Sequence, residues 1–189
     1  MHRRTLIATC ILALIACLGN ARAWGQMIVH AMTGTIRAVS TTELTTISSG
    51  VSQTFSLKPK SHSSLDFDKD LREDSTPAAN FRKLGAFAVI YYYGYLDNKT
   101  AVAVKDLGAG PFERTSGIVK HFDKHNRRLT ITNAAGKAED FIIAEKAVVD
   151  TGMRAKPARK MDPPNGSHVR LTTVAENGAQ TVIFLRLRR

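Results

Sequence analysis

The sequence predicts an all-β protein, built as two tandem small five-stranded barrels after a cleaved signal peptide. Three observations lead there. Both cysteines of the 189 residues, Cys10 and Cys17, lie in the first 23, which excludes a disulfide scaffold, a cysteine-ligated zinc site and a cysteine nucleophile from the rest. After residue 23, short runs alternate apolar and polar side chains and stop at Gly- and Asn-bearing turns, the pattern of half-buried strands. Those runs occur twice in the same order, and a pattern repeated at this length marks a repeated structural unit.

The first element is an export segment, residues 1–23. His2-Arg3-Arg4 is a positive start, Thr5 to Leu18 a nearly continuous apolar run, and Ala21-Arg22-Ala23 supplies small residues for a cut before Trp24. Leu14-Ile15-Ala16-Cys17 also resembles a lipobox, so the alternative to a free mature chain is one anchored through an acylated Cys17. No later apolar run is long enough to span a bilayer. The protein is therefore expected outside the cytoplasm, periplasmic or extracellular, with no transmembrane segment in the mature chain.

The repeated units follow. Thr33-Gly34-Thr35-Ile36-Arg37-Ala38-Val39 opens the first, and Ser116-Gly117-Ile118-Val119-Lys120-His121-Phe122 the second. Leu44 to Ile47 corresponds to Leu129 to Thr132, and Thr54 to Leu57 to Asp140 to Ile143. Turns at Ser48-Ser49-Gly50 and at Asn133 to Gly136 join these runs into hairpins, because Asn and Gly tolerate the backbone of tight turns. Gly85 to Val89 then matches Gly166 to Leu171, and Lys99 to Val104 matches Gln180 to Leu185, with turns at Asp97-Asn98 and Asn177-Gly178. Between the halves lie residues 58–80 and 144–165, where Leu65-Asp66-Phe67 and Ala147-Val148-Val149 are expected as short third strands. Asp70 to Phe81 is expected to hold a short helix limited by Pro77, while its counterpart, with Pro157, Pro163 and Pro164, is expected to be irregular. Five strands with the long connection after the third is the order of an OB-like barrel, and closure hides strand edges. The units are expected at 27–107 and 115–187, joined by a linker at 108–114 with Phe112 as a plug. Phe55, Val89, Phe141 and Val169 are core candidates. Units of ~80 residues have marginal cores, so each is expected to pack on the other.

Trp24-Gly25-Gln26, Gly34-Thr35-Ile36 and the segment Thr100-Ala101-Val102-Ala103-Val104-Lys105-Asp106-Leu107-Gly108 resemble a group of secreted bacterial proteins with small β-barrel domains, assigned to a family of unknown function. The resemblance covers about residues 27–187. It implies an envelope location and a non-enzymatic β module, and it carries over no catalytic residues.

The chain contains no Gly-x-Ser-x-Gly and no Ser-x-x-Lys, and Gly108-Ala109-Gly110 lacks the third glycine of a dinucleotide loop. No enzyme and no cofactor are expected. Asp66-Phe67-Asp68-Lys69-Asp70 looks like the start of a calcium loop, but Leu71 stands where Gly is needed and Pro77 where Glu should close it. His121, Asp123 and His125 fall at an expected turn and are read as surface. Met27, His30 and Met32 offer thioether and imidazole groups that suit copper, but on a strand Met27 points away from the other two. A periplasmic metal-handling protein, copper or zinc, is therefore the alternative function, and no residue is assigned as a metal ligand.

Two further features bear on binding. Phe87, Val89, Tyr91, Tyr93 and Tyr95 alternate along one strand; they are either core or an outer aromatic face, with Tyr91, Tyr93 and Tyr95 as its contacts. Residues 27–107 carry nine basic and eight acidic groups, whereas 108–189 carry fifteen and eight. Arg154, Lys156, Arg159 and Lys160 concentrate that excess in one loop, and Arg186, Arg188 and Arg189 close the chain. The main functional expectation is an exported envelope binding module, with those four loop cations as contacts for an anionic polymer, a lipid surface or another envelope protein. Nucleic acid is not an expected partner.

Overall fold

The structure, a computed structural model, describes residues 26–58, 64–108, 110–176 and 178–188. The export segment, Trp24 and the lipobox lie outside the described residues. The first half contains β1 (Met27–Ile28), β2 (His30–Val39), β3 (Glu43–Ser48), β4 (Val51–Ser56), β5 (Leu65–Asp66), α1 (Lys69–Glu73), β6 (Thr76–Pro77), a 3-10 turn at Ala78–Asn80, β7 (Phe87–Tyr93) and β8 (Thr100–Asp106). The second contains β9 (Phe112–Asp123), β10 (Arg128–Asn133), β11 (Ala138–Asp150), β12 (Ala155–Pro157), a 3-10 turn at Ala158–Lys160, β13 (His168–Glu176) and β14 (Ala179–Arg188).

The protein is all-β, and its sheets are small barrels. In the second half β10, β9, β13, β14 and β11 lie side by side, and β11 returns to β10 to close a five-stranded ring, with β11 and β14 parallel. The first half has the same order, β4-β3-β2-β7-β8, and closes at one parallel pair, Ser56 with Thr100. Gly34 and Gly117 sit at matching places on the first strand of each ring. A Cβ at Gly34 would meet the Ile47 carbonyl oxygen at 3.0 Å, and one at Gly117 the Thr132 oxygen at 2.5 Å. Each first strand therefore crosses the second close to its backbone: at Gly117 the approach admits only glycine, and at Gly34 a side chain would force the neighbouring strand to give.

The third strands are not the short apolar pieces. β4 takes that place in the first ring, while Leu65–Asp66 pairs in parallel with Met27–Ile28 outside it. In the second ring Ala147-Val148-Val149 is the far part of β11, beyond a register shift between Ile143 and Val148. The reason is backbone hydrogen bonding: a strand leaving a hairpin has one open edge, and pairing that edge with the fifth strand satisfies it without further chain. The linker is shorter than 108–114, because Phe112 already pairs with Val174. The connection 144–165 is ordered, not irregular. β12 pairs with the end of β11, and Pro157 leads into a 3-10 turn as Pro77 does in the first half. Prolines with a fixed φ start such turns without losing a needed donor. Ala78 with Phe81, and Ala158 with Met161, are buried by them.

Three apolar clusters hold the described residues together. Ile36, Leu44, Phe55, Ile90 and Tyr92 fill the first barrel, and Leu129, Ile131, Phe141, Val169, Leu171 and Leu185 the second. In the third, Val29, Ala31, Leu71, Val89, Tyr91 and Ala103 meet Val148, Ala155 and Phe184 across the seam between the barrels. All four core candidates are buried, Val89 in the seam. Phe112 stacks on Phe87 with ring centroids 4.6 Å apart, where the linker enters the second barrel.

The seam is also charged. Asp66 pairs with Arg154 at 2.7 Å, Asp68 with Lys160 at 2.7 Å, and Asp70 with Arg159. Asp74 receives Lys105 at 2.6 Å and Lys146 at 3.2 Å. The alternating acids that look like a calcium loop are thus partners for cations of the second unit. Hydrogen bonds from Lys160 and then Arg159 hold the Asp70 carboxyl below its ordinary value of 3.8. Burial pushes Asp74 up, but the hydrogen bonds and charges of Lys105 and Lys146 outweigh it and hold it low as well. A carboxylate with a depressed folded pKa contributes stability above its unfolded value and loses it as pH falls through the folded value. Asp74→Asn is therefore expected to melt below the parent at neutral pH and to converge with it in strong acid. Parallel melting-temperature curves from pH 7 to 2 would contradict this.

Candidate functional site

A groove of about 1020 Å³ opens at one mouth of the first barrel. Its floor comes from the second and third strands of the ring, through Glu43, Thr54 and Ser56, with Lys58 just beyond. One wall is the start of β1 and β2, with Met27, Ile28 and His30; the other is the 94–99 loop between β7 and β8. Gly94 shapes that loop. Its φ is +95°, and a Cβ there would lie 2.1 Å from the Asn98 carbonyl oxygen, so the chain doubles back on itself. The Asn98 amide closes the turn by donating to the Tyr95 carbonyl at 3.0 Å. The result pushes Tyr95 and Leu96 outward, 75% and 86% exposed. Two large apolar side chains are thus held in water beside the groove.

His30 stands where the groove meets the seam. Its ring lies 5.9 Å from that of Tyr92 and 6.3 Å from that of Tyr95. Its Nδ1 is 3.8 Å from Asp150 Oδ1, and Asp150 is fully buried. The Lys99 ammonium sits 5.7 Å over the Tyr92 ring. Glu43 and Asp97 offset Lys58 and Lys99, so the lining combines aromatic faces, hydroxyls and amides with nearly balanced charge. That composition suits a hydroxyl-bearing chain more than a point anion.

The sequence-expected contacts are placed differently. Arg154, Arg159 and Lys160 face the carboxylates of the seam, and Lys156 is half-buried on β12. The charges of Arg154, Arg159 and Lys160 are thus compensated within the molecule. Tyr91 and Tyr93 are buried and only Tyr95 reaches solvent. The alternation along β7 is real, but the second barrel covers the outward face at Val89 and Tyr91. Met32 lies in the core of the first barrel, which separates it from Met27 and His30 in the groove. His121 is on β9 and His125 in the following turn, where Asp123 accepts hydrogen bonds from the Asn126 amide at 3.0 Å and side chain at 2.7 Å. Among the described residues no group of three or more His, Cys, Asp or Glu converges. Sequence reasoning missed the 94–99 loop as a wall. Its signal was Gly94, directly after the aromatic run.

No family model matches this sequence, and no curated protein matches it. Solved structures of CusF are similar to part of it. Silver-bound CusF is 15% identical, with 41% of this chain and 97% of that one covered and a TM-score of 0.32. Apo-CusF from Escherichia coli is 13% identical over 44% of this chain and 95% of its own, with a TM-score of 0.33. A copper(II)-bound CusF variant, also from Escherichia coli, is 15% identical over 44% and 100%, with a TM-score of 0.32.

Proposed function

We propose that this chain is an exported, non-enzymatic envelope module that binds the glycan chain of an envelope polymer in the groove of its first barrel. The observation that carries the reading is the coincidence of the groove with the ligand face of OB barrels. That face is the second and third strands with the loop between the fourth and fifth, and it takes up oligosaccharides and oligonucleotides. Here the corresponding parts are β3, β4 and the 94–99 loop, and they present Tyr95 and Leu96 to solvent. Export is read from residues 1–23, and the net positive charge favours a polymer with acidic groups. Tyr95→Ala is expected to weaken binding of purified cell-wall glycan fragments about tenfold, since stacking on one aromatic contributes roughly 1–3 kcal/mol. Calorimetry that finds unchanged affinity would exclude the groove.

A second reading, soft-metal handling, rests on Met27 and His30 lining the same groove. Thioether and imidazole suit copper, and a carboxylate behind a ligating imidazole orients it, as Asp150 stands behind His30. Native mass spectrometry separates the two readings. Stoichiometric copper that disappears in His30→Gln favours the metal.

A further inference from the structure

We infer that the outer face of the second barrel, where it borders the seam, is a binding site for an oxyanion of the phosphate type. The inference does not rest on the groove. β9, β13 and β14 are adjacent strands, and in one row across them Ser116 pairs with Arg170 and Arg170 with Arg186. Arg114 lies in the next row, opposite Thr172. Val169, Leu171 and Leu185 point into the barrel core, so the arginines at alternate positions project outward. They line a cleft of about 290 Å³ whose far wall is Thr33 of β2 and the turn residues Ser48 and Ser49. No Asp or Glu lines it.

This arrangement costs stability on its own. Like charges directly opposite on antiparallel strands repel, and Arg170 faces Arg186. At the seam the fold supplies carboxylates to Arg154, Arg159, Lys160, Lys105 and Lys146, whereas the buried Asp150, opposite Arg186 in the parallel register of β11 and β14, gives its oxygens to the Ala31 and Gly152 amides. None of the ion pairs among the described residues includes Arg114, Arg170 or Arg186. One of the three is instead held in place by neutral groups. Arg114 Nη1 donates to Ser49 Oγ at 2.8 Å, and its guanidinium lies 5.6 Å over the Phe87 ring. Ser49 adopts φ 50° at the hairpin turn, a conformation that favours Asn or Gly, and there its hydroxyl reaches Arg114. Burial raises the Tyr92 phenol above its ordinary range, and the Arg186 charge beside it works the other way. Planar guanidinium forks held this way match the paired oxygens of a phosphoryl or sulfuryl group, and hydroxyls complete the shell. The cleft takes one such group with a small substituent and not a polymer segment.

The test uses the mature chain with inorganic phosphate and, separately, a glycerophosphodiester, followed by calorimetry and thermal melting. Arg170→Gln and Arg186→Gln are each expected to weaken phosphate binding about tenfold, which is about 1.4 kcal/mol. Arg170→Lys should lose less, because the charge stays and the fork is lost. Without phosphate, Arg170→Gln should melt no lower than the parent, because the repulsion is relieved; a merely structural arginine would melt lower. Binding of the free anion alone assigns the site to a soluble phosphate, and binding of the diester assigns it to a head-group phosphate. Tyr95→Ala, which probes the groove, should leave phosphate affinity unchanged, and a loss there would overturn the assignment. So would equal stabilisation by chloride at matched ionic strength, or affinities in both Gln variants within twofold of the parent.

Discussion

Truncation of Tyr91 to alanine is expected to cost about 3–5 kcal/mol of unfolding free energy, while Tyr91→Phe should cost nothing or add stability. The side chain is fully buried at the seam and packs on Phe67 with ring centroids 5.0 Å apart. Alanine would leave a cavity walled by both barrels, which can collapse only by shifting one barrel on the other. The phenol is a different matter. Its hydroxyl is buried and finds no hydrogen-bond partner among the described residues. Burial first, then the charges of Asp74 and Asp68, push its pKa far above the ordinary phenol range, so it stays protonated at every working pH. A buried hydroxyl without a partner loses its water and gains nothing, so its removal is neutral or favourable. Urea melts of the two variants measure both effects. A Phe variant that loses more than about 1 kcal/mol would mean that the hydroxyl is satisfied after all.

Tyr91 also shows what the sequence could and could not disclose. Period-two alternation placed Ala88, Ile90 and Tyr92 on one face and Val89 and Tyr91 on the other, and the structure keeps that division. Which partner covers each face was not legible, because a barrel interior and a barrel-barrel seam select the same apolar side chains. Gly34 and Gly117 were legible as matching positions, because close backbone approach leaves a residue-type mark that a packed surface does not. The partners of Asp66, Asp68 and Asp70 were hidden for a related reason. An acid near a cation remote in sequence carries no local signature, and the same alternation serves a metal loop or an ion-paired seam. The Arg170–Arg186 pair needed strand register, since one residue of slip would send both side chains into the core. The groove was half visible: the tyrosine run pointed to the correct strand, but the residue that reaches solvent is the one after Gly94, where the strand has ended.

The Asp150→Ala substitution is expected to be the most damaging polar change, at about 3–5 kcal/mol. The carboxylate is fully buried and is held from both sides of the seam. The Ala31 amide of the first barrel donates to one oxygen at 3.1 Å, and the Gly152 amide of the second to the other at 2.8 Å. Alanine would leave the Ala31 N–H buried without an acceptor, at about 1–3 kcal/mol, would release the exposed Gly152 amide to water, and would remove the anion 3.8 Å from His30 Nδ1. Asp150→Asn keeps one acceptor but turns an amide N–H₂ toward the other donor, so an intermediate loss is expected. The two variants should also loosen the start of β2, with faster amide exchange at Ala31 than at residues of the barrel cores. Because His30 belongs to the same strand and lines the groove, Asp150→Asn should weaken groove ligands although Asp150 itself does not line the groove. If exchange at Ala31 rises while glycan affinity stays at the parent value, His30 is not part of the binding surface, and the contact lies with Tyr95 and the 94–99 loop alone.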